Sequence, residues 1–258
     1  MSTKNRLIFA LLYSDGFYCQ SRNFHLQKVG KFDWLFNNYN FSKVAEHLDE
    51  LVVINVNPRP DNQESFFEEV KQIINNVFVP IAIGGGISDL KSANKAFISG
   101  ADKIILNSLV RENKSEVKKI ISEFGSQSVV AAIDYKRIDE QVDFYEWRER
   151  KVLGNTPIND YILKCQELGF GEILLNSVNK DGTGFGYDLD IIKEVASFCE
   201  LPLMVMGGAG KYDHFLPVYN IDHVDAAITA NLLNFIGDAI ADTRTKLMSN
   251  GINLANFN

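Results

Sequence analysis

Pro80-Ile81-Ala82-Ile83-Gly84-Gly85-Gly86 and Pro202-Leu203-Met204-Val205-Met206-Gly207-Gly208 are two versions of one phrase: a proline, a short apolar run and a glycine cluster, with Gly84 and Gly207 123 residues apart. Each reads as a buried strand ending in a turn. Outward from this pair (79–83 and 203–206), similar apolar runs fall near 7–12, 51–56, 103–106, 129–133, 172–176 and 226–229, eight in all. The segments between them carry helical spacing, as in Phe66, Val70, Ile73 and Ile74, or Val117, Ile120 and Ile121. Strands that are apolar throughout suit a parallel sheet covered on both faces. The expected fold is α/β, a single (β/α)8 TIM barrel, and 258 residues fit it without remainder. An open doubly wound sheet is the alternative, but no composition break or linker marks a second domain.

Other pairs keep the same step. Asp102 and Asp225 are 123 apart, and Glu50 and Glu172 are 122 apart. The chain 1–258 therefore reads as one domain with a two-fold internal duplication, its half-barrels spanning approximately 1–125 and 126–258. In that register Leu7 to Leu12 overlays Val129 to Asp134, so Leu12 stands where Asp134 stands.

Composition narrows the function classes. Hydrophobic residues at 46% and charged residues at 23% are ordinary for a soluble globular protein. A net charge of -7 argues against a nucleic-acid partner, which needs clustered Lys and Arg. Cys19, Cys165 and Cys199 show no C-x-x-C spacing, so neither a disulfide framework nor a zinc knuckle is expected and a reducing cytoplasm is the natural setting. No apolar stretch approaches the length of a membrane span, and the N-terminal run reads as a first strand rather than a signal peptide. His25, His47, His214 and His223 lack ligand spacing, so no metal site is expected.

In a βα barrel the working face lies at the C-terminal ends of the strands. There, Gly84, Gly85 and Gly86 pair with Asn107 and Ser108 after the fourth strand, and Gly207 and Gly208 pair with Ala230 and Asn231 after the eighth. Glycines let backbone amides approach an anion, and helix N-termini favour negative charge. Two phosphate sites across the barrel mouth are expected; the plainer alternative is that the glycines only make tight turns. The stretches match neither G-x-G-x-x-G with a ribose-binding acid nor the P-loop, so no nicotinamide or ATP cofactor is indicated. Asp181 and Gly182, in NKDGTGFGYD, read either as part of a ligand-covering loop or as an Asp-Gly turn. Asp134 reads either as a catalytic or ligand-orienting carboxylate or as an acceptor for neighbouring loop donors.

Five stretches carry a family resemblance: IGGGISD (83–89), GADKIILNS (100–108), FGSQSVVAAIDYKR (124–137), GEILLNSVNKDGTGFGYD (171–188) and MGGAGK (206–211). Over nearly the whole chain the sequence resembles the cyclase subunit of imidazole glycerol phosphate synthase. The resemblance implies a phosphate-bearing small ligand on top of the barrel and ammonia arriving through it from a HisH-like glutaminase subunit docked at the N-terminal face. The family's chemistry uses two aspartates, at the ends of the first and fifth strands. Here Asp134 keeps the fifth position while Leu12 occupies the first, and a leucine cannot move a proton. Asp15, three residues on, is not expected to reach the same point. Gln20, Asn55 and Met206 depart from the family pattern as well.

Leu12, followed by NFHLQKVGKFDWL (23–35), is similar to cyclase-like proteins associated with glycosyl amidation. That likeness implies ammonia passed to an ATP-dependent N-acetyl-sugar amidotransferase, for an acetamidino group on a surface-glycan sugar such as that of lipopolysaccharide. The alternatives are the lyase of histidine biosynthesis and a phosphoribosyl isomerase on the same barrel. Arg6, Glu50, Lys103 and Glu172 each begin an apolar strand, and two cations with two anions can pair into a neutral ring. All four match the family's ammonia gate, although charges at strand starts are also ordinary solvated residues. The long segments 13–42 and 138–156, with Phe17, Tyr18, Phe24, Trp34, Tyr145 and Trp147, read as lids, docking surfaces or loops packed on their own barrel. Arg148, Arg150 and Lys151 read as phosphate-retaining or solvent-facing.

Overall fold

A computed structural model describes residues 4–57, 63–231, 234–235 and 237–257. The strands in chain order are β1 (Arg6–Ser14), β2 (Phe17–Arg22), β3 (His25–Gly30), β4 (Glu50–Asn55), β5 (Ile81–Gly84), β6 (Lys103–Leu106), β7 (Val129–Ile138), β8 (Gln141–Glu146), β9 (Lys151–Pro157), β10 (Glu172–Ser177), β11 (Leu203–Met206) and β12 (Val224–Thr229). Eight of them pair in parallel in the order β10-β11-β12-β1-β4-β5-β6-β7, and β7 pairs β10 to close the barrel. All eight apolar runs of the sequence lie on these eight strands. Between them run helices, among them Gln63–Ile74, Leu90–Ile98, Lys114–Phe124, Ile158–Leu168 and Leu189–Ala196.

Alternate side chains explain why the strands are apolar throughout. On β1, Leu7, Phe9 and Leu11 pack outward with the helices, while Ile8, Ala10 and Leu12 pack inward. The inner set continues with Val52, Ala82, Ile105, Val130, Ala132, Leu174, Met204, Ala226 and Ile228, so the interior is an apolar column. Helix starts are fixed locally. Asp89 accepts from Ser92 N at 2.7 Å and Ser92 Oγ accepts from Asp89 N at 3.1 Å, a reciprocal cap on Leu90–Ile98.

Backbone bonds recur at a spacing of 122 residues. Asp49 N donates to Leu7 O at 2.9 Å as Gly171 N does to Val129 O at 3.1 Å, and Val56 N donates to Tyr13 O at 2.8 Å as Val178 N does to Tyr135 O at 3.0 Å. One side chain repeats too: Asp102 Oδ2 accepts from Ile81 N at 2.8 Å, and Asp225 Oδ2 from Leu203 N at 3.1 Å.

The structure departs from the sequence reading in the two long segments. Each contains a β-hairpin: β2 pairs β1 and β3, and β8 pairs β7 and β9, all antiparallel, and after β3 the first segment passes into the helical turn Trp34–Asn38. Positive φ at Asp15 (49°) and Gly16 (79°) makes the first reversal, and at Asp139 (54°) the second. Both hairpins rise from the C-terminal face.

Candidate functional site

A cavity opens at the C-terminal end of the barrel, lined by residues of strands from both halves and by both hairpins. Asp134 stands in its wall, buried at 8% exposure, because the strand that presents it is flanked by two others. Asn176, its register partner on β10, donates Nδ2 to Asp134 Oδ1 at 2.8 Å. Asn107, at the end of β6, donates Nδ2 to Asp134 Oδ2 at 2.9 Å. Burial pushes the Asp134 carboxyl up to about 7, against the pull of the Asn176 and Asn107 hydrogen bonds. A carboxyl so held can take up or release a proton near neutrality.

Leu12 lines the same cavity, together with Ile54, Ile105, Ala132, Leu174 and Met206. Among the described lining residues the carboxylates are Asp134 and Asp181. Asp181 belongs to a different device: its Oδ2 accepts from Ser21 Oγ at 2.6 Å and from Phe24 N at 2.9 Å, while Asn23 N donates to its carbonyl at 3.0 Å. Burial raises its pKa and these bonds oppose the rise. Asp181 thus ties the tip of the first hairpin down onto the barrel. Gly182 is glycine because a Cβ there would lie 2.1 Å from Ser21 O. Asp15 lies at the β1–β2 turn, bonded to Asn57 Nδ2 at 2.6 Å, and does not line the cavity.

The second-half glycine cluster forms one concavity. Gly207, Gly208, Ala230, Asn231, Asp181 and Gly182 line it with Gln20, Ser21 and Thr229. The first half is less regular. Gly84, Gly85 and Asn107 line the main cavity, whereas the Gly86 carbonyl accepts from Gln63 Nε2 and Ser108 begins the helix Ser108–Glu112. Close backbone approach already requires two of these glycines, since a Cβ would come within 2.0 Å of Asn55 O at Gly85 and 2.1 Å of Gly186 O at Gly208. Asn231 is engaged locally, its Oδ1 accepting from Asn234 N at 3.1 Å.

The hairpin tips bring Phe24, Leu26, Trp147, Arg148 and Arg150 to the rim. Arg148 bonds Glu146, which is also paired with Arg111, and Lys151 pairs with Glu149 away from the cavity. Tyr18 packs in the core and donates to Glu69 Oε1 at 2.7 Å. Sequence reasoning missed Asn176 and the Arg111–Glu146–Arg148 cluster. Asn176 had a signal, being a polar residue at the end of an apolar strand; Glu146 had none, since only the hairpin buries it.

At the opposite end the four charged strand-starting residues meet. Arg6 lies 2.8 Å from Glu50 and 3.1 Å from Glu172, and Lys103 lies 3.1 Å from each. Each carboxylate is shared by both cations, so a closed neutral ring covers the base of the apolar column. Desolvation opposes, and the two glutamates outweigh it, in raising the Arg6 pKa. Among the described residues no group of His, Cys, Asp and Glu is arranged to hold a metal ion, and no helix is long and apolar enough to cross a membrane.

A closed parallel barrel with an ion-pair ring at one end and a carboxylate-bearing cavity at the other defines a (β/α)8 barrel whose candidate site lies at the C-terminal face. The chain belongs to the histidine biosynthesis protein family, whose model matches residues 37–237. It is 39% identical over 243 residues, covering 94% of this chain and 90% of the relative, to a Parasynechococcus marenigrum protein that bears the name imidazole glycerol phosphate synthase subunit hisF2. It is 31% identical over 256 residues, 96% of both chains, to the imidazole glycerol phosphate synthase subunit HisF of a Thermotoga species. To the HisF of Chlorobaculum tepidum it is 35% identical over 207 residues, 80% of this chain and 82% of the relative.

Proposed function

We propose that this chain is the HisF-type barrel subunit of a glutamine-dependent synthase, receiving ammonia at the ring of Arg6, Glu50, Lys103 and Glu172 and delivering it beside Asp134. The observation that carries this reading is the closed ion-pair ring at the base of an interior lined by Ile8, Ala10, Val52, Ala82, Val130 and Ala226. Neutral ammonia stays unprotonated in such surroundings, because the ammonium ion is strongly disfavoured there. The partner is a HisH-like glutaminase at the N-terminal face. Phe78 and Ile98, exposed at 94% and 73%, precede strands β5 and β6 in the chain and so lie toward the N-terminal face that carries the ring. The ligand bears phosphate, held at the glycine clusters across the mouth.

For the chemistry at the mouth, the relatives' names support ring closure to imidazole glycerol phosphate, the lyase step of histidine biosynthesis. A second reading rests on Leu12. With an aliphatic side chain in place of one proton-handling acid, the barrel passes ammonia on to an ATP-dependent N-acetyl-sugar amidotransferase instead. Purified chain given the phosphoribosyl formimino substrate and ammonium salt separates the two. Turnover to imidazole glycerol phosphate supports the lyase; no turnover, with glutamine-dependent transfer in the assembled complex, supports the second; isomerised substrate points to an isomerase and against both.

A further inference from the structure

The loop Trp147-Arg148-Glu149-Arg150 joins β8 to β9, with Glu146 and Lys151 paired in register at its base, and it sorts its residues by charge. Trp147, Arg148 and Arg150 line the main cavity, whereas Glu149 stays off that wall and pairs with Lys151. Arg150 closes the loop at φ 53°, a left-handed conformation that glycine or asparagine adopts most easily. An arginine kept at such a position on a cavity wall points to a use for its side chain. The surrounding charges balance but for this one. Arg111 and Arg148 share Glu112 and Glu146, with Arg148 Nε 3.4 Å from Glu146 Oε1. Arg150 has no ion pair or hydrogen bond among the described residues. The two carboxylates of the cavity are engaged elsewhere, Asp134 with Asn107 and Asn176, Asp181 with Ser21 and Phe24. One positive charge at the mouth is therefore left without a counterpart.

We propose that Arg150, beside Trp147, is a subsite for a carboxylate carried by the ligand, separate from the glycine clusters assigned above to phosphate. The free charge is single, which matches a carboxylate rather than a phosphate dianion. The planar fork of a guanidinium also takes both oxygens of a carboxylate in parallel. Trp147, Phe24 and Leu26 stand on the same rim and offer apolar contact to the body that bears the carboxylate. Backbone amides at a glycine turn hold an anion without any cation, so a cation set apart on the opposing hairpin serves a different group. The ligand then carries an anionic carboxylate on an apolar or planar frame at the end that meets this hairpin. The subsite goes beyond the ammonia route and does not depend on it.

Benzoate is the probe, with benzamide as its neutral isostere and phenyl phosphate as its dianionic counterpart, each titrated into the full chain at neutral pH and equal ionic strength. The readout is the indole N–H resonance of Trp147, told apart from that of Trp34, the other tryptophan of the chain, through Trp34→Phe. Benzoate should shift it saturably in the millimolar range, and benzamide should not. Arg150→Gly should weaken benzoate at least about ten-fold, the loss of a charge-assisted pair, and Arg150→Lys at least about three-fold, since an ammonium keeps the charge without the fork. Arg150→Gly and Arg150→Asn, both at ease at positive φ, should also raise the urea midpoint, which an arginine retained for the fold would not allow. No saturable shift with benzoate, an equal shift with benzamide, or benzoate binding that survives Arg150→Gly overturns the proposal. So does phenyl phosphate acting at Arg150 as strongly as benzoate, or a lower midpoint in both variants. No glutaminase or ammonia takes part, so failure of the ammonia route would show separately, as absent glutamine-dependent transfer with benzoate binding intact.

Discussion

The rings of Phe24 and Tyr145 meet edge to face over the barrel mouth, their centroids 5.6 Å apart. Phe24 sits at the tip of the hairpin that follows β1, and Tyr145 on the hairpin that follows β7, so one aromatic contact joins extensions from opposite sides of the barrel. Asp181 secures the first of them from a third side.

Breaking that contact should loosen the cover more than the barrel. Phe24→Ala and Tyr145→Ala should show a coupling of about 0.5–1.5 kcal/mol in a double-mutant cycle on global stability. Amide exchange over residues 21–30 should rise in either variant while exchange on β4 and β11 stays unchanged. Additive effects would mean that the two hairpins do not support each other.

Gly182→Ala should act on the same cover from below. A Cβ at that position would meet the backbone of Ser21, and φ of 66° is unfavourable for alanine. A destabilisation of about 1–3 kcal/mol by urea unfolding is expected. Protease cleavage between residues 21 and 24 should appear at lower protease concentration than in the unaltered chain.

Asp134 should leave a signature in the pH dependence of stability. Its carboxyl holds a proton up to about pH 7 in the fold, while the unfolded chain releases that proton at an ordinary carboxylate pKa near 4. Between about pH 4 and 7 the folded state therefore binds more protons, and this group's contribution to stability falls as pH rises. The stability of the unaltered chain minus that of Asp134→Asn should decline across that window by on the order of 4 kcal/mol as an upper bound. Urea midpoints from pH 4 to 8 measure it, and a flat difference would contradict the burial of this group.

Lys103→Met opens the ion-pair ring, leaving Glu50 and Glu172 to share Arg6 alone. Breaking a partly buried cluster on one side should cost about 1–3 kcal/mol. In the complex with its glutaminase, product formed from glutamine should fall at least several-fold while product formed from added ammonium salt is retained. Undiminished use of glutamine would remove the gate from the proposed route.

Leu12→Asp should restore a second acid to the cavity at a cost. A further carboxylate in that apolar wall should lower stability by about 2–4 kcal/mol and push the Asp134 pKa higher still. Under the second reading, ring closure of the formimino substrate with ammonium should be undetectable in the unaltered chain and appear in the variant. If the unaltered chain already turns over and the variant gains nothing, Leu12 is compatible with the lyase.

The barrel and its ring were legible because both follow from order along the chain. Apolar runs separated by helical spacing leave a parallel closed sheet as the economical burial, and a charge at the start of a strand must lie at the barrel's base. The hairpins were less so, although Asp15-Gly16 followed by Phe17 to Arg22 carries the Asp-Gly reversal between strand-like segments that marks one. The lengths of 13–42 and 138–156 suggest loops, since polar residues on the exposed β3, HLQKVG, mask the strand period of two.

By itself, the sequence determined the eight-fold alternation, the repeat that sets Leu12 against Asp134, and the four charges at strand starts. Periodicity and offset are properties of a line, and these features need nothing more. Only the tertiary structure decided that Asn107 and Asn176 clamp the same carboxylate, that Asp181 answers to Ser21 and Phe24, and that Glu146 is buried between two arginines. Apart from Glu146 and its neighbour Arg148, those groups lie 27 to 160 residues apart along the chain and are brought together by closure of the barrel and its hairpins. Burial and donor geometry, which set how an acid behaves, come into being only when distant segments pack together.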